Sequence, residues 1–129
     1  GAIASKTAAA LYGLKIVASN IHSIANNATR FVVVKTTPNS SEDINKASLK
    51  FVLDHKRGSL AAVLNVLSDC KLNLTKIQSI PVVETPWKYS FFVDVTFDEV
   101  AFYTKTIQLL EIMTESLKVL GAYKNQLEV

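Results

Sequence analysis

The sequence has almost nothing that could staple a fold from outside its core. Its single cysteine, Cys70, excludes an internal disulfide, and with only two histidines, His22 and His55, there is no four-ligand zinc spacing. No cofactor and no metal are expected. No apolar run approaches the roughly 20 residues of a membrane span, and the opening GAIASKTAAA lacks the charged start and long apolar stretch of a signal peptide. These absences point to a cytoplasmic protein that does not engage a membrane. Four glycines and three prolines in 129 residues, with 49 % hydrophobic and 19 % charged, fit one packed domain and are too short a chain for two full ones. A chain of this length buries roughly two-thirds of its unfolded surface, so its core suffices to hold it.

Acidic residues are missing from the first forty positions. Lys6, Lys15, Arg30 and Lys35 stand there unopposed, whereas residues 41–129 hold ten bases and eleven acids. Four dispersed charges are too few for a nucleic-acid stripe, and aromatic and basic residues do not interleave as a single-strand groove requires. A small anionic substrate fits this segment better. A cut chain that has lost its balancing acids explains the asymmetry equally well.

The polar stretch TTPNSSEDINK, residues 36–46, reads as a linker. Before it, Ser5 can cap an alanine-rich helix from Lys6 to Tyr12, and Gly13 can stop it. Leu14 to Ala18 and the β-branched run Phe31 to Val34 are expected to be strands, separated by the loop SNIHSIANNAT. Roughly 35 residues of this kind cannot enclose a core and must pack on something else. A start without methionine, close to a helix, favours the tail of a larger domain.

After the linker the pattern is cleaner. Leu49, Phe51 and Leu53 alternate with Lys50, Val52 and Asp54, the mark of a strand with one buried face. Gly58 breaks it, Ser59 can cap, and Leu60, Val63, Leu64 and Leu67 give an amphipathic helix ending near Asp69. Leu74 to Val82 and Tyr89 to Val95 read as a hairpin around Thr85-Pro86, Phe102 to Met113 as the stripe of a helix over about 100–116, and Leu117 to Leu120 as the start of a last strand. The order βαββαβ predicts an α+β, ferredoxin-like arrangement with both helices on one face of a four-stranded antiparallel sheet. Ile77 and Ile80 are expected to form one apolar wall that a second copy covers.

Several strings in this order resemble prephenate dehydratase. Asp54-His55-Lys56-Arg57-Gly58-Ser59-Leu60, Asn73 to Pro81, Tyr89-Ser90-Phe91-Phe92-Val93-Asp94 and Leu120-Gly121-Ala122-Tyr123 look like its C-terminal ACT domain, a small amino-acid-sensing module. Gly1 to Ser5, Ala9 to Leu14 and Asn27-Ala28-Thr29-Arg30-Phe31 look like the close of its catalytic module, which has a periplasmic-binding-protein-like fold. The resemblance implies three parts: 1–36, a short αβ tail of that module; 37–45, a linker; and 46–129, the ACT regulatory domain. It further implies a lyase that turns prephenate into phenylpyruvate with loss of carbon dioxide and water, in phenylalanine biosynthesis. Where the family usually has Glu-Ser-Arg-Pro, this chain has Gln78-Ser79-Ile80-Pro81, and where a proline usually precedes the glycine it has Arg57.

The chemistry fits the residue types. The C4 hydroxyl of prephenate leaves poorly unless a proton or hydrogen bond reaches it, and the family's matching threonine makes Thr29 the catalytic candidate. Taken alone, Thr29 would be a loop hydroxyl satisfying backbone. Arg30 can clamp a substrate carboxylate through its fork, or equally make a structural ion pair. For the effector, L-phenylalanine or another large apolar amino acid, the candidates are His55, Gly58, Ser59, Leu60, Asn73, Gln78 and Ser79. The turn opens a helix whose unpaired N–H groups favour a carboxylate. Relatives build such a pocket between two ACT domains, which implies a homodimer or tetramer. His22 is expected to be a solvated or locally bonded loop imidazole, Cys70 a small buried hydrophobe and Trp87 a packing or partner residue. Other readings are a stand-alone amino-acid-binding regulator and a module that dimerises without sensing. The fragment alone is expected to be inactive.

Overall fold

The computed structural model describes residues 1–26, 29–37, 43–54, 56–85 and 87–125. It divides into two compact units, Gly1–Val34 and Lys35–Val129. Among its described residues the first contains one helix, α1 (Lys6–Leu11), capped as its sequence dictates: the Ser5 side chain accepts from the Ala8 amide. At the other end Gly13 takes φ +61°, and the amides of Gly13 and Leu14 turn back to the carbonyls of Ala10 and Ala9, closing a Schellman motif. No residue of α1 is buried. The expected strands at Leu14–Ala18 and Phe31–Val34 are not formed; both stretches are irregular, and Phe31, Val33 and Val34 are fully solvent-facing. A β-branched run becomes a strand only when a neighbouring strand takes up its amides and carbonyls, and neither run pairs with another strand among the described residues.

The second unit runs β1 (Lys46–Leu53), α2 (Ser59–Asp69), β2 (Asn73–Pro81), β3 (Tyr89–Thr96), α3 (Val100–Met113) and β4 (Ser116–Tyr123). The strands form one antiparallel sheet in the order β2-β3-β1-β4. The period of two in β1 turns Ala47, Leu49, Phe51 and Leu53 into the core, where they meet Val93 and Val95 of β3, Val63 and Leu67 of α2 and Leu110 of α3. Phe51 stacks on Phe91 with ring centroids 5.6 Å apart. Cys70 is a free, buried thiol in this core.

Two local details differ from the periodicity alone. Gly58, not Ser59, is the N-cap of α2, at φ +85°, and the Ser59 hydroxyl is used differently. In α3 a polar residue, Thr106, holds a fully buried position, because its hydroxyl is satisfied within the helix by the Phe102 carbonyl at 2.8 Å. Among the described residues no helix is long and apolar enough to cross a membrane.

Candidate functional site

The turn from β1 into α2 brings the end of a strand to the start of a helix. Leu53 ends β1 opposite Tyr89 of β3, which in turn faces Pro81 of β2, so three strand ends share one end of the sheet with the start of α2. Lys56 pairs with Asp54 at 3.0 Å, and the hydrogen bond and charge of Asp54 raise the Lys56 pKa above its ordinary value. Both groups are well exposed, so the pair orders the turn more than it stabilises the fold. The Ser59 hydroxyl donates to the Asp54 carbonyl at 3.1 Å, leaving its lone pairs to accept. Beside this turn a cavity of about 80 Å³ is lined by Leu53, Asp54, Lys56, Ser59, Trp87 and Tyr89. That is far below the roughly 300–1,000 Å³ of ligand clefts, so one copy does not enclose an amino acid here.

The sequence-derived candidates fall into three groups. Gly58, Ser59 and Leu60 lie together at the turn, with Leu60 packed against the core. Gln78 and Ser79 lie on the edge strand β2, paired with Phe92 and Phe91. Asn73 opens β2 opposite Thr96, at the other end of the sheet from Gly58, roughly 27 Å of strand away from Pro81. His55 lies outside the described residues, as do Asn27 and Ala28 of the Thr-Arg-Phe string. Ile77 and Ile80 do not form one wall: Ile77 pairs with the core residue Val93, Ile80 with Ser90, and an odd spacing along a strand sets them on opposite faces.

The sequence marks Trp87 only as a packing or partner residue and carries no sign that Tyr89 sits at the turn. Trp87 lies in the loop between β2 and β3 at φ +69° and is largely exposed. The β1–β3 register that brings Tyr89 to Leu53 is a long-range pairing that no local signal announces.

In the first unit Thr29 and Arg30 are adjacent, exposed and in irregular backbone. Together they offer a hydroxyl donor and a guanidinium fork. Among the described residues no cluster of His, Cys, Asp or Glu could hold a metal ion.

The model of the prephenate dehydratase family matches residues 1–39. Over 128 residues the chain is 38 % identical to the bifunctional chorismate mutase/prephenate dehydratase of Aquifex aeolicus, covering 98 % of this chain and 35 % of that protein. The chain therefore spans about a third of the length of that relative. Two solved structures share the fold. GqqA, described as a novel type of quorum quenching acylase, gives a TM-score of 0.62 at 20 % identity, over 72 % of this chain and 48 % of that one. A prephenate dehydratase from Arthrobacter aurescens in complex with L-Phe gives 0.57 at 18 %, over 70 % and 30 %. Along nearly its whole length the chain matches the C-terminal part of prephenate dehydratases.

Proposed function

We propose that the chain is the C-terminal part of a prephenate dehydratase and carries that enzyme's amino-acid-sensing domain. Residues 1–36 are the end of the catalytic module, 37–45 the linker, and 46–129 a ferredoxin-like ACT domain. The observation that carries the reading is the 38 % identity over 98 % of the chain, with Thr29 and Arg30 inside the segment matched by the family model. The βαββαβ element order and the strand order β2-β3-β1-β4 support the regulatory domain.

In catalysis Thr29 gives a hydrogen bond to the departing C4 hydroxyl of prephenate, and Arg30 holds one of its two carboxylates. Aromatisation of the ring drives loss of carbon dioxide and water. A transition-state site needs convergent groups, and this chain supplies two of them, so it has no turnover alone.

In sensing, the N–H groups of the first turn of α2 take the carboxylate of an amino acid, and the Gly58 turn admits its close approach. The Arthrobacter structure holds L-Phe; we extend that ligand, or another large apolar amino acid, to this chain, with Leu60 and Ile77 as its apolar contacts. His55, three residues before Gly58 in the sequence, is a further candidate contact. A two-fold related second copy, its β2 edge antiparallel to the first, sets the Asn73 end of one sheet level with the Gly58 end of the other. The small cavity of the single copy favours such a shared site. The test is phenylpyruvate formation from prephenate by the full-length protein, followed during a titration with L-phenylalanine. Turnover that falls on addition supports both parts of the reading, and a full-length protein that forms no phenylpyruvate overturns it.

A further inference from the structure

An ion pair ties the sheet together across the end of β1. Lys88 immediately precedes β3 and Glu115 immediately precedes β4, the two strands that flank β1. Lys88 Nζ donates to Glu115 Oε2 at 2.7 Å, so the pair bridges the point where β1 passes into the turn before α2. The two side chains are 32 % and 36 % exposed, against 81 % and 51 % for Lys56 and Asp54, so solvent and salt weaken this pair less. Backbone bonds seat both ends. The Glu115 amide donates to the Val52 carbonyl at 3.0 Å, the Lys88 amide to the Thr85 carbonyl at 3.3 Å, and the Val82 amide to the Lys88 carbonyl at 2.9 Å.

Lys88 sits between residues that face elsewhere. Its neighbours Trp87 and Tyr89 line the cavity beside the turn, as does Phe91, whereas the Lys88 side chain reaches across β1 to Glu115. Tyr89 and Phe91 are fixed by the ladders, through Leu53 and Phe51 on one side and Pro81 and Ser79 on the other. Trp87 stands before the ladder begins, 74 % exposed and at φ +69°, a left-handed backbone that a bulky side chain adopts at a cost and keeps only where its surroundings hold it. The anchored side chain next to it is Lys88, and the peptide that joins the two residues takes its direction from that anchor. We propose that Lys88 and Glu115 are positioning residues whose ion pair straps the strand ends and fixes Trp87 as a wall of the cavity beside the Gly58 turn. The part this wall plays in amino-acid sensing rests on the function proposed above; the strap does not.

Trp87 is the only tryptophan of the chain, so its fluorescence reads this loop alone. The test is the anisotropy decay of Trp87 in the full 129-residue chain, with residue-resolved amide exchange on the same samples. In Lys88→Met and Glu115→Ala the population of loosened loop rises about two- to fivefold, the change expected of a partly covered ion pair. It is read as a larger nanosecond amplitude at Trp87 and faster exchange at Val82 and Lys88, while Leu49 and Phe51 keep their rates. Lys88→Arg, which retains the charge, keeps the wild-type signal. Salt at about 1 M, where the screening length is about 3 Å, moves the wild type towards the two variants and leaves them unchanged. An unchanged Trp87 signal in both charge-removing variants overturns the proposal, as does equal loosening in Lys88→Arg or an equal acceleration at Leu49 and Phe51. Calorimetry with L-phenylalanine separates the two ideas: loosening of Trp87 in a protein whose wild type binds no amino acid upholds the strap and removes the sensing.

Discussion

Ser59, the first residue of α2, donates its hydroxyl to the carbonyl of Asp54 at 3.1 Å and so ties the helix to the strand it follows, across a glycine at φ +85°. The turn is held by conformation and by this bond. The space beside Gly58 is open, with nothing within 4 Å of an added Cβ. Gly58→Ala is therefore expected to cost about 1–2 kcal/mol through the left-handed backbone alone. Gly121→Ala meets the Tyr123 ring at an ordinary 3.7 Å without a left-handed φ and costs less. Calorimetric melting of the two variants checks the order.

If β2 carries the proposed effector contacts, a second expectation follows. Gln78 and Ile80 are two residues apart on one face of β2, so Gln78→Glu with Ile80→Arg places a carboxylate and a guanidinium side by side. The unmodified chain is expected to bind phenylalanine weakly, and the double variant to bind it more tightly with greater exchange protection at residues 57–60, because a ligand shifts an equilibrium only by its difference in affinity for two states. Strong protection of that turn in the unmodified chain at micromolar phenylalanine would show the substitutions to be tolerated.

A third prediction concerns alkaline pH. Burial holds the Tyr103 phenol above its ordinary pKa of 10.0, where it stacks on Phe97 at 4.8 Å. The unfolded chain loses this proton first, so the contribution to stability is complete below pH 10 and lost as pH rises through the folded value. Urea unfolding at pH 8 and above 10 is expected to show a larger loss in the wild type than in Tyr103→Phe; equal losses would contradict it.

Much of the second unit was legible because its signals are local. Alternation at Leu49, Phe51 and Leu53 marked β1, and the spacing from Leu60 to Leu67 marked α2. The bulges at Thr75 and Leu120 were not legible, since they arise from pairing with distant strands. Reading Ile77 and Ile80 as one wall failed for the same reason of strand parity. In the first unit the helix signals at Ser5 and Gly13 carried all the information needed, whereas the Phe31–Val34 run named a propensity without a partner. Of the candidate site, the Gly58 turn could be found from sequence, but its neighbours Trp87 and Tyr89 come only from tertiary register.

Association follows from the same geometry. With Asn73 and the Gly58 turn at opposite ends of one sheet, and half-exposed Ile77 on an edge strand, the chain is expected to be a dimer or larger at micromolar concentration. Sedimentation equilibrium showing a monomer across that range would remove the shared site.

The most direct measurement is the turnover of prephenate by the full-length protein with Thr29 intact, with Thr29→Ala and with Thr29→Ser. A single hydrogen-bond donor at a developing charge is worth a factor of roughly 10²–10³, so Thr29→Ala should lose about that much in kcat while Thr29→Ser, which keeps the hydroxyl, recovers much of it. Wild-type turnover in Thr29→Ala would contradict the account.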